Sequence, residues 1–329
     1  MKTIVIAEAG VNHNGNIRIA KRLVDIAKFA KADYVKFQSF SYEKLVTADA
    51  PKAKYQKINA KKESQKKMLK KLQLSHSDQK ILIKYCKKKK IKFLSTAFDI
   101  DNLKFLIKQN IEIIKIPSGE ITNLPLLSYI SKINKRIFLS TGASTIKDIK
   151  KAFKILKKKK KKITILHCNS AYPTPISDLN LNVIKTFKKE FNCDVGLSDH
   201  SLSITAPSLA VTLGASVIEK HFTLDRKMKG PDHKSSLEPG ELKEMIKLIK
   251  ETELALGASN KIVTKSETLN KKIIRKSLVA SKFIKKGEKF TKNNIEVKRP
   301  GNGINPMEIN KIFGKTAKIN FKPDSLIKI

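Results

Sequence analysis

Short apolar runs recur along this chain, with polar, helix-compatible stretches between them. TIVIAE, DYVKFQ, IKFLST, EIIKIPS, RIFLS, ITILHC, DVGLS and SVIEKH each gather β-branched and other apolar residues over the length of one buried strand. The intervening stretches carry apolar residues at helical spacing; residues 16–32 do so through Val24, Ile26, Ala27 and Ala30, after a turn at Asn12-His13-Asn14-Gly15. Eight strand-then-helix units in about 250 residues predict an α/β fold, a (β/α)8 TIM barrel whose active site lies at the carboxyl ends of its strands.

Two stretches depart from this rhythm. Residues 40–74, after the second strand, are rich in Lys, Ala and Gln, and a connection of that length above a barrel strand predicts a lid. The last barrel helix follows Pro239-Gly240 and runs to about Leu256, beyond which the pattern changes. The chain thus reads as a barrel over residues 1–258, a polar linker over 259–272 and a small domain over 273–329. That tail has short β-like runs (SLVASKFI, NIEVKR) and turns at Lys286-Gly287-Glu288 and Pro300-Gly301-Asn302-Gly303. It is short enough to be expected to have little core of its own and to dock on something else.

Composition narrows the class. With 329 residues and 40% hydrophobic content the chain can fill a barrel core and a second domain. Its longest apolar runs fall far short of the roughly 20 residues a bilayer span needs. Glu8 interrupts the first residues before a secretory h-region could form, so the expected location is cytoplasmic, with no membrane partner. Cys86, Cys168 and Cys193 fit neither a disulfide framework nor a CxxC metal pattern and are read as reduced core residues. The formal charge of +40 raises a polyanion-binding alternative. Against it, only six of the 69 basic residues are Arg and there is no Trp, and the Lys runs at 87–90 and 157–162 end helices just before strands. Nucleic acid is therefore not an expected partner.

The chemistry gathers where the strands end. In DYVKFQ, Val35 and Phe37 share one face and Lys36 and Gln38 the other; in EIIKIPS, Ile114 and Ile116 oppose Lys115. With the apolar faces toward the helices, Lys36 and Lys115 point into the barrel mouth, where each needs an anion. One reading is a small phosphorylated acid held by both lysines with the hydroxyls of Ser118 and Ser140. The other is a structural ion pair with an internal carboxylate such as Glu8 or Glu120. His200 and His221 close neighbouring strands. Two neutral imidazoles there can bind a divalent metal and leave positions open for substrate and water, with Asp199 supporting from behind. An exchangeable Mn²⁺, with Mg²⁺ as the alternative, suits two protein ligands better than Zn²⁺ does.

The segments IAEAGVNHNG, VKFQSF, FLSTAFD, IKIPSGEITNLPLL, LSTGAS, LHCNSAYPTP, GLSDHS, IEKHFTLD and GPDHKSSLEP, with VKRPGNGI in the tail, resemble the sialic acid synthase family of nonulosonate synthases in order and spacing. The resemblance covers essentially the whole chain. It implies a barrel followed by an antifreeze-like SAF (β-clip) domain, a domain-swapped homodimer, and a divalent-metal-dependent condensation of phosphoenolpyruvate with an N-acylated amino sugar. Position by position, it implies that Lys36, Lys115, Ser118, Ser140 and Ser170 hold phosphoenolpyruvate, with Thr96 and Phe98 also on the substrate. Some members carry Asn at the position of Ser170. Glu8, Gln38, Glu120, Tyr172 and Asp232 would line the sugar and the reacting centre, Lys115, Glu8 and Glu120 having catalytic roles. Glu120 is the expected proton donor to the developing alkoxide, and Glu8 handles the proton of the attacking water. His200 and His221 would bind the metal, and Arg299 would reach the partner's barrel and hydrogen-bond the N-acyl group.

KFQSF, IPSGEITNLP and the insert segments Lys54-Tyr55-Gln56 and Glu63-Ser64-Gln65 resemble the N,N'-diacetyllegionaminate branch of the family more than its N-acetylneuraminate or pseudaminate branches. The expected substrate is a 2,4-diacetamido-2,4,6-trideoxymannose-type sugar; the alternative is N-acetylmannosamine.

Overall fold

The structure is a computed structural model that describes residues 2–53, 56, 63–157 and 162–329. Lys54 and Tyr55 of the insert, and positions 158–161 of the second lysine run, lie outside the described residues. The chain divides into two compact units, Met1–Gly257 and Ala258–Ile329.

In the first unit, β1 (Ile4–Gly10), β2 (Tyr34–Ser39), β3 (Lys92–Ala97), β4 (Ile113–Ile116), β5 (Arg136–Ser140), β6 (Ile163–Cys168), β7 (Asp194–Asp199) and β8 (Val217–His221) form a closed barrel. All neighbours are parallel, and β8 closes the circuit on β1. Helices begin where capping predicts them to: Asn16 accepts from the backbone N–H groups of Arg18 and Ile19 at the head of Ile17–Phe29, and Thr145 and Asp148 form a capping box at the head of Ile146–Leu156. Lys87, Lys88 and Lys89 occupy the last turn of the helix His76–Lys89, complementing its dipole, and Lys90 ends it in the left-handed conformation.

Strand alternation sorts the barrel into layers. Val35, Phe37, Ile114, Ile116, Ile137, Leu139, Val195, Leu197 and Ile218 face the helices as part of the main core. The opposite faces contribute Ile6, Tyr34, Leu94, Ile113, Phe138, Leu166 and Val217 to a separate buried cluster inside the barrel. Gly196 completes this floor because a Cβ there would lie 2.4 Å from the Val217 carbonyl oxygen and 2.6 Å from Leu166 Cδ2. Two residues further toward the carboxyl ends, the same faces carry Glu8, Lys36, Thr96, Lys115, Ser140, Cys168, Ser198 and Glu219. An apolar floor therefore supports a polar layer, which is where a barrel places its chemistry.

The described part of the insert packs on the same end. Its helix Gln65–Leu72 buries Met68, Leu69 and Leu72 against Val11 and Phe40, which follow β1 and β2.

The second unit pairs β9 (Ser277–Ala280) antiparallel with β10 (Ile295–Lys298). The expectation that this tail has little core of its own is corrected. Leu278, Ala280, Ile284, Phe290, Ile295, Ile312, Ala317, Phe321 and Ile327 pack into one buried cluster. Bridges such as Ile284 to Phe321 and Lys289 to Thr316 bring together apolar residues that no strand or helix period connects. A short helix, Thr268–Ile274, begins in the span read as a linker and runs two residues beyond it, and residues 254–276 are all exposed, with Leu269 at 76% and Ile273 at 63%. Among the described residues, no helix is long and apolar enough to cross a membrane.

Candidate active site

The carboxyl ends of the barrel strands enclose a cavity of about 200 Å³ lined by Glu8, Lys36, Gln38, Thr96, Phe98, Lys115, Ser118, Ser140, Cys168, Ser170, Tyr172, Ser198, His200, Glu219 and His221. Larger clefts exist, including one of about 780 Å³ lined by Lys2, Asp33, Lys92, Glu112 and Arg136. The small cavity is singled out by its convergent buried charges rather than by its size.

Lys36 and Lys115 both point inward and are almost completely buried. Lys36 Nζ lies 3.0 Å from Glu8 Oε2 and 3.5 Å from Glu219 Oε2, and it donates to Thr96 Oγ1 at 2.9 Å. Lys115 Nζ lies 3.2 Å from Glu219 Oε1 and donates to Ser140 Oγ at 2.8 Å. Ser198 Oγ donates to the same Glu219 oxygen at 2.9 Å. The internal carboxylates that meet the lysines are thus Glu8 and Glu219. Glu120 is on the half-buried turn after β4, where its Oε2 accepts from Asn123 Nδ2 at 2.5 Å, and it is not among the cavity-lining residues.

The two carboxylates differ in protonation. Burial pushes the Glu8 carboxyl up to about 7, with Lys36 opposing. Burial also acts against the Glu219 carboxylate, but Lys115 and Lys36 outweigh it and hold the group down at about 2. Burial disfavours the Lys36 ammonium, yet Glu219 and Glu8 together raise its pKa. In Lys115 burial prevails over Glu219 and lowers it. Glu219 is therefore the permanent counter-ion and Glu8 the group that exchanges a proton near neutrality.

A hydroxyl-rich corner adjoins Lys115. Gly142 N donates to Ser118 Oγ at 2.8 Å, and a Cβ on Gly142 would stand 2.2 Å from Ser170 Oγ and 2.9 Å from Ser118 Oγ. Only glycine leaves these three groups room to converge.

His200 and His221 come together at the ends of β7 and β8 with ring centroids 5.3 Å apart. His200 Nδ1 is 2.6 Å from the Asn169 carbonyl oxygen, which can only accept, so Nδ1 carries the proton. Tyr172 stacks on the His200 ring at 4.1 Å with its hydroxyl oxygen 3.0 Å from Nε2, and although burial disfavours the imidazolium, Cys168 and the Asn169 carbonyl raise the His200 pKa. Burial, reinforced by His200 and Lys36, lowers the His221 pKa well below its ordinary value, so this imidazole is neutral. Its buried Nδ1 has no hydrogen-bond partner among the described residues. His221 thus offers an unused buried nitrogen to a divalent ion, and His200 would join it as a second protein ligand only through Nε2, once the Tyr172 hydroxyl leaves that nitrogen. Among the described residues, no group of three or more His, Cys, Asp or Glu side chains is arranged to hold a metal.

Of the other expected site residues, Gln38 Nε2 donates to Glu8 Oε1 at 3.4 Å, and Phe98 stands edge-on to Phe40. Asp232 is buried on the turn after β8; burial raises its carboxyl to about 6, with His200 opposing. It does not line the cavity. Arg299 belongs to the second unit, where it is exposed and donates from Nε to the Ile274 carbonyl at 3.1 Å.

Sequence reasoning missed Glu219, Ser198, Cys168 and the Gly142 N–H. The signal for Glu219 was its parity with His221 in VIEKH, which puts both on one face. Cys168 was read as core, but it lines the cavity with Sγ 3.7 Å from His200 Nδ1 and from Ser118 Oγ.

The NeuB family model matches residues 23–261, and the SAF domain model matches residues 275–329. The chain is 49% identical to an N,N'-diacetyllegionaminic acid synthase of Campylobacter jejuni over 99% of both chains. It is 40% identical to an N,N'-diacetyllegionaminic acid synthase of Legionella pneumophila over 97% of this chain and 92% of that one. Among solved structures, N-acetylneuraminic acid synthetase of Leptospira borgpetersenii in complex with citrate matches with a TM-score of 0.73 and 34% identity, covering 82% of this chain and 90% of that one.

Proposed function

The chain belongs to the NeuB family, and from that premise we propose that it condenses phosphoenolpyruvate with a 2,4-diacetamido-2,4,6-trideoxymannose-type sugar. The products are N,N'-diacetyllegionaminate and inorganic phosphate. C3 of phosphoenolpyruvate bonds to the aldehyde carbon of the open-chain sugar, water adds at C2, and loss of phosphate from C2 leaves the 2-keto acid. The observation that carries this reading is the pair of buried lysines beside a hydroxyl-rich corner, a site suited to an acid with two anionic ends.

Lys36, Lys115, Ser118, Ser140 and Ser170 hold the carboxylate and phosphate, with the Gly142 N–H orienting the Ser118 hydroxyl. A cavity of about 200 Å³ suits so small an acid, because drug-sized ligands occupy roughly 300–1,000 Å³. The sugar then lies toward the mouth, where Gln38, Phe98 and Tyr172 line the cavity, and Asp232, buried on the turn after β8 and outside that lining, would reach it only from beyond the cavity wall. Glu8, poised near neutrality, exchanges the proton of the water that adds at C2. Glu120, on the rim turn beside Ser118 and Gly119, protonates the sugar alkoxide. A divalent ion, Mn²⁺ or Mg²⁺, held by His200 and His221 would supply Lewis-acid polarisation of the aldehyde.

The working form is a domain-swapped homodimer in which Arg299 of one copy binds the N-acyl group of sugar held in the partner's barrel. The exposed apolar residues Ile262, Leu269 and Ile273 support a second copy as the surface that covers them. The likeness to the Leptospira borgpetersenii synthetase favours one other reading, the same chemistry on N-acetylmannosamine. Phosphate release from phosphoenolpyruvate with each sugar separately tests both; release that depends on neither sugar refutes the condensation.

A further inference from the structure

His200 is held at its ring by Asn169 and Tyr172, but the backbone on either side of it is fixed from another direction. β8 alternates, so Glu219 and His221 face the cavity while Lys220 between them faces away. Lys220 is nonetheless among the most completely buried large side chains of the protein, at 1% exposure. Its ammonium lies 2.5 Å from Asp199 Oδ2, donates to the Ser201 carbonyl at 2.6 Å and to the Ser203 carbonyl at 3.0 Å, and approaches Ser201 Oγ at 3.4 Å. The second oxygen of Asp199 accepts from Ser201 N at 2.8 Å. All these partners lie in residues 199–203, the segment that turns out of β7 and carries His200. Three carbonyl or carboxylate oxygens around one buried ammonium leave this turn a single arrangement, and each would be unpaired without the lysine.

We propose that Lys220 is a positioning residue for His200: it touches nothing in the cavity and clamps the turn that presents the imidazole. This rests on the reading that His200 and His221 hold a divalent ion, and it assigns to Lys220 the orientation of one of those ligands.

The test uses the full-length chain and Mn²⁺ alone, followed by electron paramagnetic resonance, with ¹⁵N-histidine spectra recorded on the same proteins before the metal is added. Lys220→Met retains the length and apolar stem. It is expected to weaken Mn²⁺ binding about tenfold or more, the range seen when a residue supporting a metal ligand is lost, and to move the His200 resonances while those of His13 and His76 stay in place. Asp199→Asn, which retains the hydrogen-bonding shape without the charge, is expected to give a smaller change in the same direction and serves in place of Lys220→Met should that variant not fold. Folded variants with wild-type Mn²⁺ affinity and an unmoved His200 signal overturn the proposal. Should the wild-type chain bind no Mn²⁺, the metal reading fails. The His200 signal then decides the positioning role alone: displaced, the role stands; unmoved, it falls.

Discussion

Lys115 and Glu219 pair across the barrel interior, Nζ to Oε1 at 3.2 Å, although their strands β4 and β8 lie half a circuit apart. The same carboxylate reaches Lys36 on β2, so one counter-ion serves both lysines. The two readings of the inward lysines, structural ion pair and anion site, are therefore compatible. Glu219 offsets the cost of burying the ammoniums; Lys115, with Glu219 and Ser140 as its partners, keeps one N–H for an anion, whereas Lys36 would exchange one of its three partners for it.

Lys115→Met should raise the KM for phosphoenolpyruvate by roughly 10- to 100-fold, since a hydrogen bond to a charged group contributes about 1.5–3 kcal/mol. Steady-state kinetics at saturating sugar measure it. An unchanged KM would confine Lys115 to its pairing with Glu219.

Chelation should abolish turnover, and Mn²⁺ or Mg²⁺ should restore it. His221→Ala should lose turnover in the presence of either ion while keeping the wild-type circular dichroism, because the ring contributes an unused nitrogen to the cavity rather than a hydrogen bond to the fold. Full activity in excess chelator contradicts the metal role.

The loops after β1 and β8 carry a pH dependence of stability. Burial is the main cause that holds both His13 and His233 down at about 4, below the ordinary value of 6.5. Between those values the unfolded chain binds more protons, so this contribution is fully present above pH 6.5 and is lost as pH falls toward 4. Glu8, raised to about 7, acts with the opposite sign, its contribution being present at low pH and lost as pH rises through 7. The informative quantity is thus the difference between wild type and His13→Gln in urea unfolding at pH 7 and pH 5. The variant should lack a loss on the order of 2 kcal/mol that the wild type shows on acidification. Equal pH slopes in the two proteins would contradict the assignment.

Arg299→Ala should raise the KM for the N-acyl sugar far more than that for phosphoenolpyruvate. Mixed with His221→Ala after subunit exchange, it should regain activity, because one site of the mixed dimer has an intact barrel and an intact tail. No recovery after confirmed exchange contradicts the swapped arrangement.

The barrel was legible because strand alternation and the helical spacing of apolar residues are local signals. DYVKFQ and EIIKIPS disclosed which face held Lys36 and Lys115 before any neighbour was known. What the sequence left hidden depends on pairing between distant segments. Nothing in VIEKH states that Glu219 meets lysines from β2 and β4, or that Lys220, a residue type almost always solvated, is buried against the turn after β7. The tail's core escaped for the same reason. Ile284, Phe290, Ile312 and Phe321 are separated by turns and meet through single bridges, so no window of sequence shows their common face.

Mass spectrometry of the product formed from phosphoenolpyruvate, Mn²⁺ and each of a panel of 2-acetamido sugars reads the condensation itself. 2,4-Diacetamido-2,4,6-trideoxymannose should yield a single new acid with the mass of the sugar plus pyruvate, accompanied by one phosphate. N-acetylmannosamine should be used much less well. A product from N-acetylmannosamine alone would contradict the proposed substrate, and no sugar–pyruvate adduct with any member of the panel would contradict the condensation itself.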